Sequence, residues 1–135
     1  MRPRRSRLLA GSTPELASLD VAVSRATRAK GIAAGYVAGS TSDLRFATEG
    51  ALPKLGATAA RAVFDSMKGE LRLETQGSGV AASRDLAYTY GIAGRWVTRD
   101  AKAPADSCVY LNVWRRDPQG RFRLALAVLN PVRRR

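Results

Sequence analysis

The side chains able to do covalent or acid–base chemistry are few. No histidine occurs among 135 residues, and Cys108 is the single cysteine. Imidazole general-base catalysis, Ser-His-Asp and Cys-His nucleophile arrangements and His/Cys zinc clusters are therefore excluded. Cys108 has no partner in the chain for a disulfide, and on a sheet strand it reads as a small buried hydrophobe. Three apolar segments, 86–98, 107–116 and 121–130, contain no acidic residue. A carboxylate base would have to come from Asp43 or from a loop acid such as Asp100 or Asp106. The glycine-rich GSG at 77–79 and GIAG at 91–94 lack the strand–loop–helix setting of a phosphate cradle and read as turn and bulge. No cofactor and no metal is expected.

What the chain does carry is an aromatic and amide set: Tyr36, Tyr88, Tyr90, Trp96, Tyr110 and Trp114, with Arg45 and Asn112. Such side chains can wall a pocket for a planar or apolar ligand, their polar ends fixing its orientation. The competing reading makes them core and dimer-interface packing with locally satisfied polar atoms. Asp43 has the same double reading, as a pocket base or as a residue closing a loop through backbone N–H groups.

The elements that must position these residues follow from periodicity. Thr13-Pro14-Glu15 is a helix start, with an N-cap hydroxyl, a first-turn proline and a carboxylate at the positive helix end. Leu16, Leu19, Val23 and Ala26 then form one apolar stripe, which Gly31 terminates. A short helical piece over 32–37 carries Tyr36, and Gly39-Ser40-Thr41-Ser42 reads as loop. Residues 43–46 predict a short strand, 50–56 a loop, and 57 to about 67 a helix with Ala60, Val63, Phe64 and Met67 on one face. After residue 70 the texture becomes strands. In 85–98, Leu86, Tyr88, Tyr90, Ile92 and Trp96 share one face, with a bulge expected at Gly91 or Gly94. In 107–116, Tyr110, Asn112 and Trp114 oppose Val109, Leu111 and Val113. Asp117-Pro118-Gln119-Gly120 is a type I turn signal, and Phe122, Leu124, Leu126 and Val128 line one face of the last strand. Helices followed by hairpin-linked strands predict an α+β domain, with helices on one face of a curved antiparallel sheet.

The length suits one domain. The net charge of +12 points first to an anionic partner, but seven of 23 basic residues lie at the ends: Arg2, Arg4, Arg5, Arg7 and Arg133 to Arg135. The remainder, 16 basic against 11 acidic side chains, is a mild excess. The expected organisation is a basic tail over 1–12, one domain over 13–132 and a basic tail over 133–135. The tails contain no aromatic residue on which a base could stack. The opening MRPRRSRLLAG has the charged start of an export signal but not the apolar stretch that should follow, and no segment approaches a membrane span. The expected location is the cytoplasm, with a truncated export leader as the alternative.

In order, "SRDLAYTYG" (83–91) and "CVYLNVWRRDPQGRFRLALAVLNP" (108–131) resemble the SnoaL-like branch of the nuclear transport factor 2-like superfamily. The pattern is an acidic residue with Leu-Ala-Tyr-x-x-Gly (Asp85 to Gly91), a Tyr-x-x-x-Trp strand (Tyr110, Trp114), and an acidic-x-x-Gly hairpin leading to an aromatic (Asp117, Gly120, Phe122). The resemblance spans about residues 15–131. It implies a cone-shaped α+β fold, a sheet bent around a long helix with a pocket at the wide end, and a homodimer. Its enzymes, of ketosteroid isomerase, cyclase or dehydratase type, use a pocket carboxylate or histidine with tyrosines. This chain has Ala127 where many resembling sequences have an aspartate, so the resemblance implies binding more readily than catalysis. The first expectation is a domain binding an apolar or aromatic small molecule, with a second copy as partner. An enzyme with Asp43 as base and Tyr88 or Tyr110 as oxyanion donor is the alternative, and it needs Asp43 facing the pocket. A third reading is nucleic-acid or other anion binding through the tails.

Overall fold

The structure, a computed structural model, describes residues 14–132. The arginine tails and the Thr13 cap lie outside the described residues. Two helices, α1 (Pro14–Lys30) and α2 (Ile32–Ala38), precede β1 (Ser40–Thr48), the short β2 (Lys54–Leu55) and α3 (Ala57–Phe64). Four long strands follow: β3 (Glu70–Val80), β4 (Leu86–Trp96), β5 (Asp106–Arg116) and β6 (Phe122–Pro131). They form one curved, unclosed sheet in the order β2-β1-β6-β5-β4-β3, and the helices pack on its concave face. This is the expected α+β cone. The sheet is mixed, because β1 pairs in parallel with β6 while every other pairing is antiparallel. A parallel pair needs a long crossover, which everything between Thr48 and Phe122 supplies. The same pairing draws Ser40 to Ser42 into β1: the Leu124 amide donates to the Gly39 carbonyl at 2.9 Å, and Thr41 Oγ1 to the Leu124 carbonyl at 3.4 Å.

Helix α1 does more than cover the sheet. β3 is an edge strand whose outward amides would stand unpaired. Ser24 Oγ accepts the Leu73 amide at 2.9 Å, and Thr27 Oγ1 accepts the Leu71 amide at 3.1 Å. Ser24 and Thr27 lie three residues apart on one helix face, so two hydroxyls finish the edge. The two helices meet closely at Gly35, where a Cβ would stand 2.4 Å from the Thr27 nitrogen.

Two bulges decide which residues face the interior. In β3 the register shifts between Thr75 and Gly77, leaving Gln76 unpaired opposite Gly91. A Cβ on Gly91 would lie 2.0 Å from the Glu74 carbonyl oxygen. The bulge expected within β4 at Gly91 or Gly94 is therefore not found there: the extra residue belongs to β3, and β4 keeps its parity throughout. In β6 the register shifts after Leu124, with Ala125 as the extra residue. Phe122 and Leu124 face inward, then Ala127 and Leu129 do; Leu126 and Val128 face outward. The single face expected for Phe122, Leu124, Leu126 and Val128 is thus split by one inserted residue.

Candidate functional site

The interior of the cone is built around Asp20, which is 0 % exposed. It stands on the buried α1 face with Leu16, Val23 and Thr27, and four donors converge on its carboxylate. Thr75 Oγ1 and the Tyr110 hydroxyl donate to Oδ2 at 2.7 and 2.6 Å. Thr89 Oγ1 and Asn112 Nδ2 donate to Oδ1 at 2.8 and 3.4 Å. Trp114 Nε1 donates to Thr89 Oγ1 at 3.1 Å, extending the network. Strands β3, β4 and β5 each contribute, so one helical carboxylate ties three strands to α1. Burial, then the bond to Asp20, push the Tyr110 phenol well above its usual pKa, which holds its proton in place as the donor.

Of the residues singled out from the sequence, Tyr110, Asn112 and Trp114 are brought together in this network. Tyr36 is buried in the same core, its ring stacked on Phe64 at 4.5 Å, with Phe46 on Phe64 at 4.5 Å. Its hydroxyl and Asn112 Oδ1 are buried with no hydrogen-bond partner among the described residues. Desolvation, reinforced by the charge of Asp20, raises the Tyr36 pKa far above the ordinary value.

The others lie elsewhere. Tyr88 and Tyr90 are on the convex face, where β4 presents its even residues; their rings cover Gly79 and Gly77 of β3, and Tyr90 is 47 % exposed. The inner residues of β4 are Ala87, Thr89, Gly91 and Ala93, small because Trp114 reaches across from β5 to Thr89. Trp96 lies under the Arg72 guanidinium, 4.1 Å from the ring centroid. Arg45 is exposed on β1. The Asp43 side chain is 61 % exposed and accepts from Arg115 Nη2 at 2.9 Å. Hydrogen bonds from Thr41 and then Arg115 hold its carboxyl below the usual range. The inward-facing geometry that a base at Asp43 requires is not the one observed. Asp20 had a sequence signal: it occupies the Leu16–Val23 stripe at helical spacing, where an acid among apolar positions marks a buried carboxylate.

At the open end of the cone a cleft of about 520 Å³ lies between α3 and the ends of β1, β5 and β6. Phe46, Val63, Met67, Leu129, Pro131 and Val132 give it an apolar lining, and Cys108 faces it. Arg95 and Lys68 stand at the rim with Asp106. The Arg95 fork grips Asp106 through Nε and Nη2 at 2.9–3.2 Å, while Nη1 donates to the Lys68 carbonyl at 2.9 Å. Burial and the Asp106 charge raise the Cys108 thiol pKa, against the pull of Arg95; the thiol is a poor nucleophile at neutral pH. A second hollow of about 790 Å³ lies beneath the 99–105 turn, against Ile92 and Pro104.

No protein-family model and no curated protein matches the chain. Solved structures do match. A ketosteroid isomerase-like protein from Erwinia carotovora atroseptica superposes with a TM-score of 0.65 at 18 % identity, over 91 % of this chain and all of that one. A protein from Catenulispora acidiphila in complex with S-DNPA gives 0.61 at 18 %, covering 87 % and 90 % of the two chains. An NTF2-like protein of unknown function from Pseudomonas putida gives 0.61 at 18 %, covering 86 % and 83 %. The chain has the nuclear transport factor 2-like fold, as its strand motifs implied. Among the described residues no helix is long and apolar enough to cross a membrane.

Proposed function

We propose that this domain binds an apolar or aromatic small molecule in the cleft at the open end of the cone. The observation that carries the reading is the cleft itself: an apolar lining, a volume within the range of ligand sites, and a few polar groups at the rim. The similar protein from Catenulispora acidiphila, in complex with S-DNPA, supports a ligand-binding use of the fold. The interior favours binding over catalysis. A carboxylate offers about four acceptor positions, and on Asp20 four protein donors use them. A general base needs a free lone pair within reach of the substrate proton. Asp43, for its part, is engaged with Arg115 on the surface. A second copy of the chain is the proposed partner, meeting the convex face where Tyr90, Ile92 and Val109 are exposed.

A neutral fluorescent probe, N-phenyl-1-naphthylamine, tests the cleft. We expect one probe per chain, slower alkylation of Cys108 when the probe is bound, and at least about tenfold weaker binding in Met67→Trp, which fills the cleft. Equal probe affinity in the variant together with unprotected Cys108 would overturn the assignment.

A further inference from the structure

The charges around the cleft define the head group of what enters it. Arg95 and Asp106 neutralise one another through a bidentate pair, and the raised thiol pKa keeps Cys108 uncharged. Among the described residues Lys68 is left as the one ammonium on the rim, and no salt bridge or side-chain hydrogen bond from them engages it. Its backbone is fixed there, because Arg95 Nη1 holds the Lys68 carbonyl across the mouth. Beyond Lys68 the positive potential continues: the adjoining groove is lined by Lys30, Arg61 and Lys68 with a single acid, Asp65. Such a field draws anions toward the rim.

Resting on the cleft as the binding site, we infer that its ligand is an amphipathic monoanion, an apolar body in the cleft with a carboxylate head met by the Lys68 ammonium. A neutral ligand would gain nothing from that exposed ammonium, and a cationic one would be repelled. One ammonium on the rim matches a single negative charge on the head group. Thr48 and Ser107, which also line the cleft, add hydroxyls that a carboxylate oxygen can accept from. Lys68 then acts as the residue that selects the head group, while the apolar lining supplies affinity.

The test uses three ligands of one chain length, decanoate, decanol and decyltrimethylammonium, displacing N-phenyl-1-naphthylamine from the full chain below their micelle concentrations. At low salt decanoate should displace the probe about tenfold better than decanol, with the ammonium weakest, and the gap should narrow in 0.3 M salt. Lys68→Met should remove the preference for decanoate and leave decanol unchanged, whereas Lys68→Arg should keep it. Equal displacement by decanoate and decanol in the wild-type chain overturns the head-group assignment and leaves the cleft standing. So does a preference that survives in Lys68→Met. Failure of all three, with no binding of the probe itself, overturns the cleft as a site and the inference with it.

Discussion

The hydroxyls of Tyr36 and Tyr110 occupy one core in opposite circumstances, and the contrast is measurable. Tyr110 gives Asp20 one of its four hydrogen bonds; removing that donor exposes a buried carboxylate to an unpaired position. Tyr110→Phe should cost about 2 kcal/mol. Tyr36 donates to no described residue, so Tyr36→Phe removes a desolvated group without breaking a bond and should leave stability unchanged or raise it by up to about 1 kcal/mol. Urea unfolding of both variants checks the pair, and equal losses would contradict the network. At this scale the sequence is partly legible. Tyr110, Asn112 and Trp114 alternate cleanly along one strand, so their common face could be read directly, while its inward direction comes only from the fold. Tyr88 and Tyr90 mislead because size inverts on β4: glycine, alanine and threonine face inward while the large rings cover glycines outside. Asp20 escapes notice for a related reason, since its four partners come from strands 55 to 92 residues away.

Elements are legible in kind and order, less so in the face they present. A bulged residue reverses every side chain beyond it. Gln76 and Ala125 each do so without a local mark that periodicity detects, Gln76 beside the Gly77–Gly79 run and Ala125 within an unbroken apolar strand. The β5–β6 hairpin, by contrast, is written in its turn. Asp117 Oδ1 accepts the amides of Gln119 and Arg121, both at 2.9 Å, and Gly120 takes a φ of 83° that favours glycine. The Arg121 amide, followed by that of Gln119, holds the Asp117 carboxyl below its usual range. A carboxyl with a lower pKa folded than unfolded contributes stability that is fully present above the unfolded value and is lost as pH falls through the folded one. Asp117→Asn should therefore lower the urea midpoint at pH 7, and the difference from wild type should close below the ordinary carboxylate range. A gap that persists into strong acid would assign the loss to shape rather than charge.

For the whole molecule, the two surfaces of the sheet divide the work. The concave side is filled by helices and the Asp20 network, leaving the cleft at one end, while the convex side exposes Tyr90, Ile92 and Val109 together. That exposed apolar cluster is the face proposed for a second copy of the chain. Ile92→Glu should halve the sedimenting mass of a dimeric wild type without changing its circular dichroism; a wild type already monomeric at tens of micromolar would remove the second copy as partner. The +12 charge, conspicuous in the composition, bears on none of this as a total. What bears on the proposed binding is where Lys68 stands on the cleft, which only the folded arrangement discloses.

The pairing of β1 with β6 has a consequence for synthesis. The strand nearest the C-terminus sits third from the β2 edge, between β1 and β5, so β1 lacks its main partner until residues near 131 have left the ribosome. The helices and β3 to β5 can gather earlier, but the sheet is completed across 80 intervening residues, from Arg45 to Leu126 and from Thr48 to Leu129. Contacts that distant make folding slow and leave an unpaired apolar strand exposed meanwhile. The nascent chain thus presents the β6-facing edge of β1 unpaired, a hydrogen-bonding edge that the finished domain has covered.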